Sequence, residues 1–384
     1  MHILFIPSWY PLTPDDLNGC FFREQAIALT RYGLQVGVLS FHGHLRKHIK
    51  QIEFWGGVSQ LEIDSSVQTW RVHHVSGIRG YGRFILPLIV SRFFKEYYRF
   101  HGPPDIIHAQ SALNGGIIAM DLARQNKIPY VVTEHSTAFP RKLLPTSSLA
   151  KAKKVFMNAA SILAVSSPLA NCIKKSCNIS RNIQIVPNLL CEHIFSNVMV
   201  NCKESGEPFI FLNVGMLSQK KGQNILIEAF TRSFRDMPVK LYIGGEGEAF
   251  EELKQLIAEK DMGKQICLLG KLSRDQVRQQ MMKCNAFVLS SLFETFGVVI
   301  IEAFACGKPV VATVCGGPED IVTPKNGILV EKNSIEALSV GMQNIYYNID
   351  KYDSVEIRND CIKKFGEKAV VSTLTQIYQS VLSI

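Results

Sequence analysis

The 384-residue sequence has no run of apolar residues close to the roughly 18 that a membrane-spanning helix needs. The nearest approach, residues 84–90, is far too short and contains Pro87. At the N-terminus a short apolar run follows no cationic start, so we expect no signal peptide. These absences argue against a helical membrane protein and against a secreted one.

The sequence has ten cysteines but no C-x-x-C pair, the spacing that many zinc and redox sites use. Scattered cysteines are typical of a reduced cytosolic protein with buried thiols, and not of a disulfide or zinc framework. We therefore expect a cytoplasmic protein. Repeats of short period and low-complexity tracts are also lacking.

Acidic residues are scarce in the first half of the chain. Residues 1–190 contain 21 Lys and Arg but only 10 Asp and Glu, whereas residues 191–384 contain 21 and 23. A basic half could face an anionic membrane surface or nucleic acid, or it could simply aid solubility. No recognised nucleic-acid-binding module accompanies the charge, so we expect no nucleic-acid partner.

Short β-branched runs alternate with longer amphipathic stretches along the whole chain. The candidate strands are residues 2–6, 35–40, 105–110, 129–133, 162–166 and 182–188, and then 209–215, 240–245, 265–270, 286–290, 309–313 and 327–331. Alternation on this scale predicts an α/β fold with parallel sheets and helices on both faces. The two series of strands predict two doubly wound domains.

A polar stretch at residues 189–208 separates the two series and is the predicted linker. We predict a first domain over residues 1–190, a second over 191–365, and a C-terminal helix over 366–384. This helix could pack back on either domain, the N-terminal one included. Ligands of such sheets bind beyond the carboxyl ends of the strands, and two such domains have their natural site in the cleft between them.

Two stretches after strands in the second half could contact a phosphate. In LNVGMLSQKKGQN, residues 212–224, Lys220 and Lys221 precede Gly222, which opens a helix. A lysine beside a helix N-terminus suits an anion, although ordinary surface lysines produce the same pattern. In IGGEGE, residues 243–248, the glycines could let backbone approach a ligand or form a tight turn.

The stretch ETFGVVIIE places a carboxylate at each end of an apolar segment. Glu294 lies just before a helix that begins near Gly297, and Glu302 lies two turns into it. A helical Glu among aliphatic residues is costly unless something hydrogen-bonds to it, and ribose hydroxyls would do so. Alternatively, Glu294 caps the helix and Glu302 is partly exposed.

The order of these motifs resembles the retaining glycosyltransferases of family 4. Glu294 and Glu302 form its Glu, seven residues, Glu pattern, followed by A-x-A-x-G-x-P-V-V-A. Other matching pieces are V-G-x-L-x-x-x-K-G at 214–222, G-G-E-G at 244–247, L-G-x-L at 269–272, G-G-P-E at 316–319, I-P-S-W-Y-P at 6–11, G-C-F-F-R-E-Q-A at 19–26, T-E-H-S at 133–136 and V-P-N at 186–188. The resemblance covers essentially the whole chain.

This resemblance implies the GT-B fold, two Rossmann-like doubly wound parallel-sheet domains that face each other across a cleft. The first domain would bind the acceptor and the second the nucleotide sugar. The implied reaction moves a sugar from a donor of UDP- or GDP-hexose type to a hydroxyl of a glycan or lipid-linked glycan, with retention. The implied setting is cell-surface polysaccharide synthesis, such as lipopolysaccharide or capsule, on the inner face of the membrane.

The resemblance also implies residue roles. Lys221 would bind the donor diphosphate, Glu302 the ribose hydroxyls, and Glu294 the transferred sugar. His135 and Glu294 would be catalytic, with His135 in the cleft opposite Glu294; alternatively His135 is a structural histidine satisfied by its neighbours. The donor-binding residues would be Gly19, Lys221, Gly245, Glu294, Thr295, Phe296, Gly297 and Glu302.

Met216 departs from the family pattern, which usually has an Arg directly after the glycine of V-G-R-L. Lys220, Lys271 or Arg274 could supply the missing charge. No aspartate pair resembles the D-x-D metal motif, so we expect neither a metal nor another cofactor, and cations with a helix dipole would neutralise the diphosphate. Two alternatives are a nucleotide-sugar 2-epimerase of the same fold and a catalytically weak sugar-nucleotide or glycan-binding subunit.

Residues 79–101 interleave cations with aromatic and aliphatic side chains. The cations are Arg79, Arg83, Arg92, Lys95 and Arg99. The pattern predicts a helix, either one that lies on an anionic membrane surface or an ordinary amphipathic helix that covers the sheet.

Overall fold

The computed structural model describes residues 1–13, 16, 18–45, 58–64, 66–76, 81–195 and 207–383. The chain forms two compact units. The first unit comprises Met1–Val165, Leu169–Pro187 and Val370–Ile384, and the second comprises Ser166–Pro168 and Asn188–Ala369. Most of the predicted linker, residues 196–206, lies outside the described residues.

The first unit contains an eight-stranded sheet. Its strands are β1 (His2–Pro7), β2 (Gln35–Leu45), β3 (Val58–Asp64), β4 (Val67–Ser76), β5 (Ile106–Gln110), β6 (Tyr130–Glu134), β7 (Ser161–Ala164) and β8 (Gln184–Ile185). Their order is β3-β4-β2-β1-β5-β6-β7-β8. The helices along this part of the chain are α1 (Cys20–Arg31), α2 (Tyr81–His101), α3 (Gly115–Asn126), α4 (Thr146–Asn158) and α5 (Ser167–Cys177).

One part of this sheet departs from the prediction of purely parallel strands. β3 pairs with β4 antiparallel, whereas the other strands pair parallel. The two are joined by so short a connection that the chain can only reverse direction, since a parallel pair needs a long crossover. The prediction included neither strand.

The second unit contains a six-stranded, wholly parallel sheet. Its strands are β9 (Phe209–Val214), β10 (Val239–Gly244), β11 (Ile266–Gly270), β12 (Ala286–Leu289), β13 (Val310–Thr313) and β14 (Gly327–Val330), in the order β11-β10-β9-β12-β13-β14. The helices are α6 (Glu192–Phe195), α7 (Gln223–Phe234), α8 (Phe250–Glu259), α9 (Arg274–Lys283), α10 (Val298–Ala305), α11 (Ile335–Tyr347) and α12 (Ser354–Phe365). The strand order reverses between β9 and β12, and such a switch point opens a ligand crevice at the carboxyl ends.

The last helix, α13 (Glu367–Leu382), contributes to the first unit from Val370 onward. Tyr378 on this helix is buried, and its hydroxyl lies 2.6 Å from Nδ1 of His108 in β5. Nε2 of the same imidazole lies 2.7 Å from Oγ1 of Thr133 in β6. Complete burial lowers the pKa of His108 from 6.5 to about 3, so the ring is neutral at physiological pH.

The basic segment of residues 79–101 forms α2. One face of this helix buries Ile89, Val90, Phe93, Phe94 and Tyr97. Phe84, Leu88, Arg92, Lys95 and Arg99 are exposed. Arg79 and the side chain of Arg83 lie outside the described residues. Among the helices that the structure describes, none has the length and apolarity to cross a membrane.

Candidate active site

The loops after β9 and β12 bring Lys221 and Glu294 together at the switch point of the second unit. Lys221 Nζ lies 2.6 Å from Glu294 Oε2, and both side chains are largely buried. Oγ of Ser290 donates a hydrogen bond to the carbonyl oxygen of Lys221 at 2.8 Å. Gly222 then begins α7 with φ 63°, where a Cβ would overlap the carbonyl oxygen of Ser290. The close approach of the two loops therefore requires glycine at this position.

The backbone around Glu294 is fixed independently of its side chain. Its N–H donates to the carbonyl oxygen of Cys315 at 3.1 Å, and its own carbonyl accepts from Gly317 N–H at 2.8 Å. Gly297, with φ 101°, forms the N-cap of α10. The first N–H groups of a helix lack intrahelical acceptors and attract anions. Glu294 and Lys221 thus lie beside a helix N-terminus, as the sequence pattern predicted.

Glu302 is engaged by a different cation. It lies in α10 with only 1% of its surface exposed, so the alternative of a partly exposed Glu302 is wrong. Arg274 Nη1, at the start of α9, lies 2.5 Å from Glu302 Oε1. Burial raises the pKa of Glu302, and the charge and hydrogen bond of Arg274 oppose that rise.

The glycine-rich turn after β10 packs against the chain's own backbone. Gly245 has φ 142°, and a Cβ there would overlap the carbonyl oxygen of Gly215. The N–H of Gly245 donates to the carbonyl oxygen of Gly270 at 2.7 Å, which joins the loops after β10 and β11. Contact between Gly245 and a donor stays a prediction.

Two of the cations suggested as replacements at Met216 are held by carboxylates. Arg274 is bonded to Glu302, and Lys271 Nζ lies 2.8 Å from Glu246 Oε1 at the surface. The Met216 side chain itself is exposed by 60%. Within the described ranges, no three His, Cys, Asp or Glu side chains come together in a way that could hold a metal ion.

His135 follows β6 in the first unit and is held by a chain of amides. Its Nε2 lies 2.9 Å from Gln110 Oε1, and Gln110 Nε2 donates to Gln25 Oε1 at 2.7 Å. With Gln110 Oε1 as the acceptor, the neutral ring of His135 carries its proton on Nε2 and its lone pair on Nδ1. The ring stacks on Phe21 at 5.3 Å and meets the edge of Phe22 at 4.8 Å. The neighbours therefore fix both the tautomer and the plane of the imidazole.

Glu134, a residue that the prediction omitted, organises the same end of the first sheet. Its buried carboxylate accepts N–H groups from Ala112, His135 and Ser136, each at 2.8 Å. Burial raises its pKa, and the three hydrogen bonds oppose the rise. The sequence signal that could have identified Glu134 was its position directly before His135 at the end of a predicted strand.

Gly19 begins α1 with φ 82°, in the left-handed region that favours glycine. A Cβ there would lie 2.9 Å from Cδ1 of Trp9. Gly19 and His135 both belong to the first unit, and Lys221, Glu294 and Glu302 to the second. Their roles toward donor and acceptor stay predictions.

Residues 21–190 match the family described as Glycosyltransferase Family 4, and residues 199–364 match Glycosyl transferases group 1. An uncharacterized glycosyltransferase of Methanocaldococcus jannaschii is 26% identical over 351 residues, 90% of this chain and 95% of that protein. A Bacillus subtilis protein named as a teichuronic acid biosynthesis glycosyltransferase is 27% identical over 356 residues, 88% of this chain and 87% of that protein.

A similar solved structure is that of Anabaena HepE in complex with UDP and glucose. It superposes with a TM-score of 0.75 at 19% identity and covers 99% of this chain and 100% of HepE. That likeness concerns the fold, whereas the two family matches together span both halves of the sequence. The chain belongs to the family 4 glycosyltransferases and has their GT-B fold.

Proposed function

We propose that this glycosyltransferase moves a hexose from a UDP- or GDP-sugar to a hydroxyl of a glycan or lipid-linked glycan, with retention at the anomeric carbon. The observation that carries the proposal is the Lys221–Glu294 pair beside the N-terminus of α10. A diphosphate needs cations and N–H donors where it departs, and this place offers both. The carboxylate beside them suits the hydroxyls of the sugar being transferred.

In the proposed reaction the bond from the anomeric carbon to the diphosphate oxygen breaks on the face where the acceptor oxygen arrives. The new bond then forms on that same face. Lys221 and the N–H groups of Thr295 to Gly297 take up the charge of the leaving diphosphate. The proton of the acceptor hydroxyl passes to the departing phosphate oxygen, so no enzymatic base and no metal ion is required.

The other residues would bind rather than react. Glu302 accepts hydrogen bonds from the ribose hydroxyls of the donor. Nδ1 of His135, the nitrogen with the lone pair, accepts one from a hydroxyl of the sugar. Gly19 lets the phosphate or the acceptor approach the backbone closely. Gly245 lies in the part of the site that binds the donor.

The compared proteins support the choice of donor and pathway. HepE was solved with UDP and glucose, so UDP-sugars are the first donors to test. The Bacillus relative is named for teichuronic acid biosynthesis, which favours a cell-envelope polysaccharide as the product. A lipid-linked acceptor would place the enzyme at the inner face of the membrane. The exposed apolar and cationic side chains of α2 supply a surface that suits anionic lipid.

A thermal-shift screen with UDP, GDP, ADP and their common sugars, with and without EDTA, tests the donor site. We expect stabilisation by one nucleotide series, insensitive to EDTA and lost in Lys221→Ala and Glu302→Ala. Lys325→Ala is the matched control, because Lys325 is exposed and pairs with Glu356. It lies before the amino end of the edge strand β14, whereas Lys221 and Glu294 follow the carboxyl ends of β9 and β12. No response to any nucleotide would contradict the proposal.

Transfer to an acceptor, with the product anomer determined by NMR, tests the reaction. Release of a free epimerised sugar nucleotide without acceptor would instead indicate the 2-epimerase. Tight donor binding without turnover would indicate a binding subunit, an alternative that the exposed Met216 in place of the family's Arg favours. Flotation with vesicles tests the membrane surface, and equal binding to neutral and anionic lipid would count against it.

A further inference from the structure

Arg274 occupies a position where a cation is normally unfavourable. It is the first residue of α9, and Ser273 before it forms a capping box with Gln276. The positive end of the helix dipole repels a guanidinium placed there. The side chain is nevertheless only 24% exposed and reaches across to α10. A compensating partner must hold it in place, and that partner is Glu302.

The partner has an equally unusual environment. The Glu302 side chain is 2% exposed and lies within an apolar helix segment that buries Ile300, Ile301, Ala303 and Phe304. An isolated carboxyl in such surroundings takes up a proton and does not carry a buried charge. A guanidinium nitrogen at 2.5 Å makes a charge-assisted hydrogen bond that favours the ionised form.

We infer that Arg274 is a positioning residue that favours the ionised form of Glu302 and orients its carboxylate toward the ribose hydroxyls of the donor nucleotide. Oε1 accepts from Arg274. An ionised carboxylate has a second oxygen that can accept from a hydroxyl. The inference rests on the proposed function, in which Glu302 holds the ribose. It assigns Arg274 to the nucleoside part of the donor and leaves the diphosphate to Lys221.

The separation of these two roles can be measured with nucleoside and diphosphate probes. We expect Arg274→Met to weaken uridine and UDP, or guanosine and GDP, by the same factor of about tenfold to hundredfold. A guanidinium that bound the diphosphate directly would instead weaken UDP or GDP and spare the nucleoside. That result would overturn the inference. Calorimetry measures the affinity for the nucleoside diphosphates, and saturation-transfer NMR measures the affinity for the nucleosides.

The pH profile distinguishes positioning from a purely structural role. In wild type, affinity should vary less with pH between 6 and 8 than in Arg274→Met, because the charge and hydrogen bond of Arg274 oppose the rise in the Glu302 pKa that burial causes. In Arg274→Met the carboxyl is protonated at the low end, so affinity should rise with pH as the charge forms. Arg274→Lys should restore most of the affinity and flatten the profile. An equal loss of nucleotide affinity in Arg274→Met and Arg274→Lys, independent of pH, would refute the positioning role.

Arg278→Met is the matched control. Arg278 lies one turn further along α9, has the same 24% exposure and pairs with Asp275. This variant should keep the affinity and the pH profile of the wild type. If Arg274→Met does not fold, Arg274→Lys and Glu302→Gln carry the test, since both keep a polar group at the contact. Adding Arg274→Lys to Glu302→Gln should then cause no further loss of affinity.

The titration of Glu302 in the unliganded chain keeps this inference separate from the proposed function. Carbon-13 NMR of labelled glutamate carboxyls, assigned with Glu302→Gln, should show a higher titration point in Arg274→Met by at least about one pH unit. An unchanged titration overturns the inference even if nucleotide binds. If wild type binds no nucleotide, the proposed function fails, while a shifted titration still supports the coupling of Arg274 to Glu302.

Discussion

Acid should destabilise the first unit through His108. Burial lowers the pKa of this histidine from 6.5 to about 3, so the folded state keeps it neutral while the unfolded chain protonates it below pH 6.5. Its contribution to stability is therefore present above pH 6.5 and is lost as the pH falls toward 3. Each pH unit in that window is worth about 1.4 kcal/mol, so lowering the pH to 4.5 removes about 3 kcal/mol.

Tryptophan fluorescence reports this loss selectively. Two of the three tryptophans, Trp9 and Trp70, lie in the first unit, and the third, Trp55, lies between them in the sequence and outside the described residues. Urea unfolding followed by fluorescence at several pH values gives the slope of the unfolding free energy against pH. His108→Gln should reduce that slope between pH 6.5 and 4.5 by about 1.4 kcal/mol per unit. His193→Gln, an exposed histidine of the second unit, should not. Equal slopes for wild type and His108→Gln would refute the reasoning.

Three further substitutions test other parts of the molecule. Gly245→Ala should lower the melting temperature by several degrees through at least about 2 kcal/mol, because its Cβ would overlap a backbone carbonyl, whereas Gly263→Ala has open space and should not. Gln110→Leu should reduce sugar transfer about tenfold without unfolding the chain, because it frees the tautomer of His135; unchanged transfer would remove that role. Tyr378→Phe should cost the first unit about 1–3 kcal/mol by fluorescence-detected unfolding, because a buried imidazole nitrogen loses its partner, and wild-type stability would contradict the contact.

Six of the predicted strands, β1, β5, β6, β7, β12 and β13, are buried along their whole length. Runs such as residues 286–290 and 309–313 are continuously apolar, and these became β12 and β13. The prediction missed the β3–β4 pair because both strands, VSQLEID and VQTWRVHHVS, mix polar and apolar side chains. In β3, for example, Leu61 and Ile63 are exposed. Their pattern lacks the continuous apolar run that marked the others.

The site was predictable where it depends on strand ends and not where it depends on long-range pairs. Lys221 and Glu294 each follow a strand, and the topology brings the ends of neighbouring strands together. Arg274 and Glu302 lie on different helices, 28 residues apart, so no local spacing signals their contact. The amide chain behind His135 likewise joins residues 25 and 85 positions apart. Such pairs follow from packing, which sequence periodicity does not specify.

The path of the chain also sets an order of events during synthesis. The first unit is completed by Val370–Ile384, which the ribosome makes only after every residue of the second unit. Until then His108 has no Tyr378 beside it, and the slot for α13 in the first unit stays open. The half of the protein that is made first must therefore wait, with apolar surface uncovered, while the half made second can finish folding.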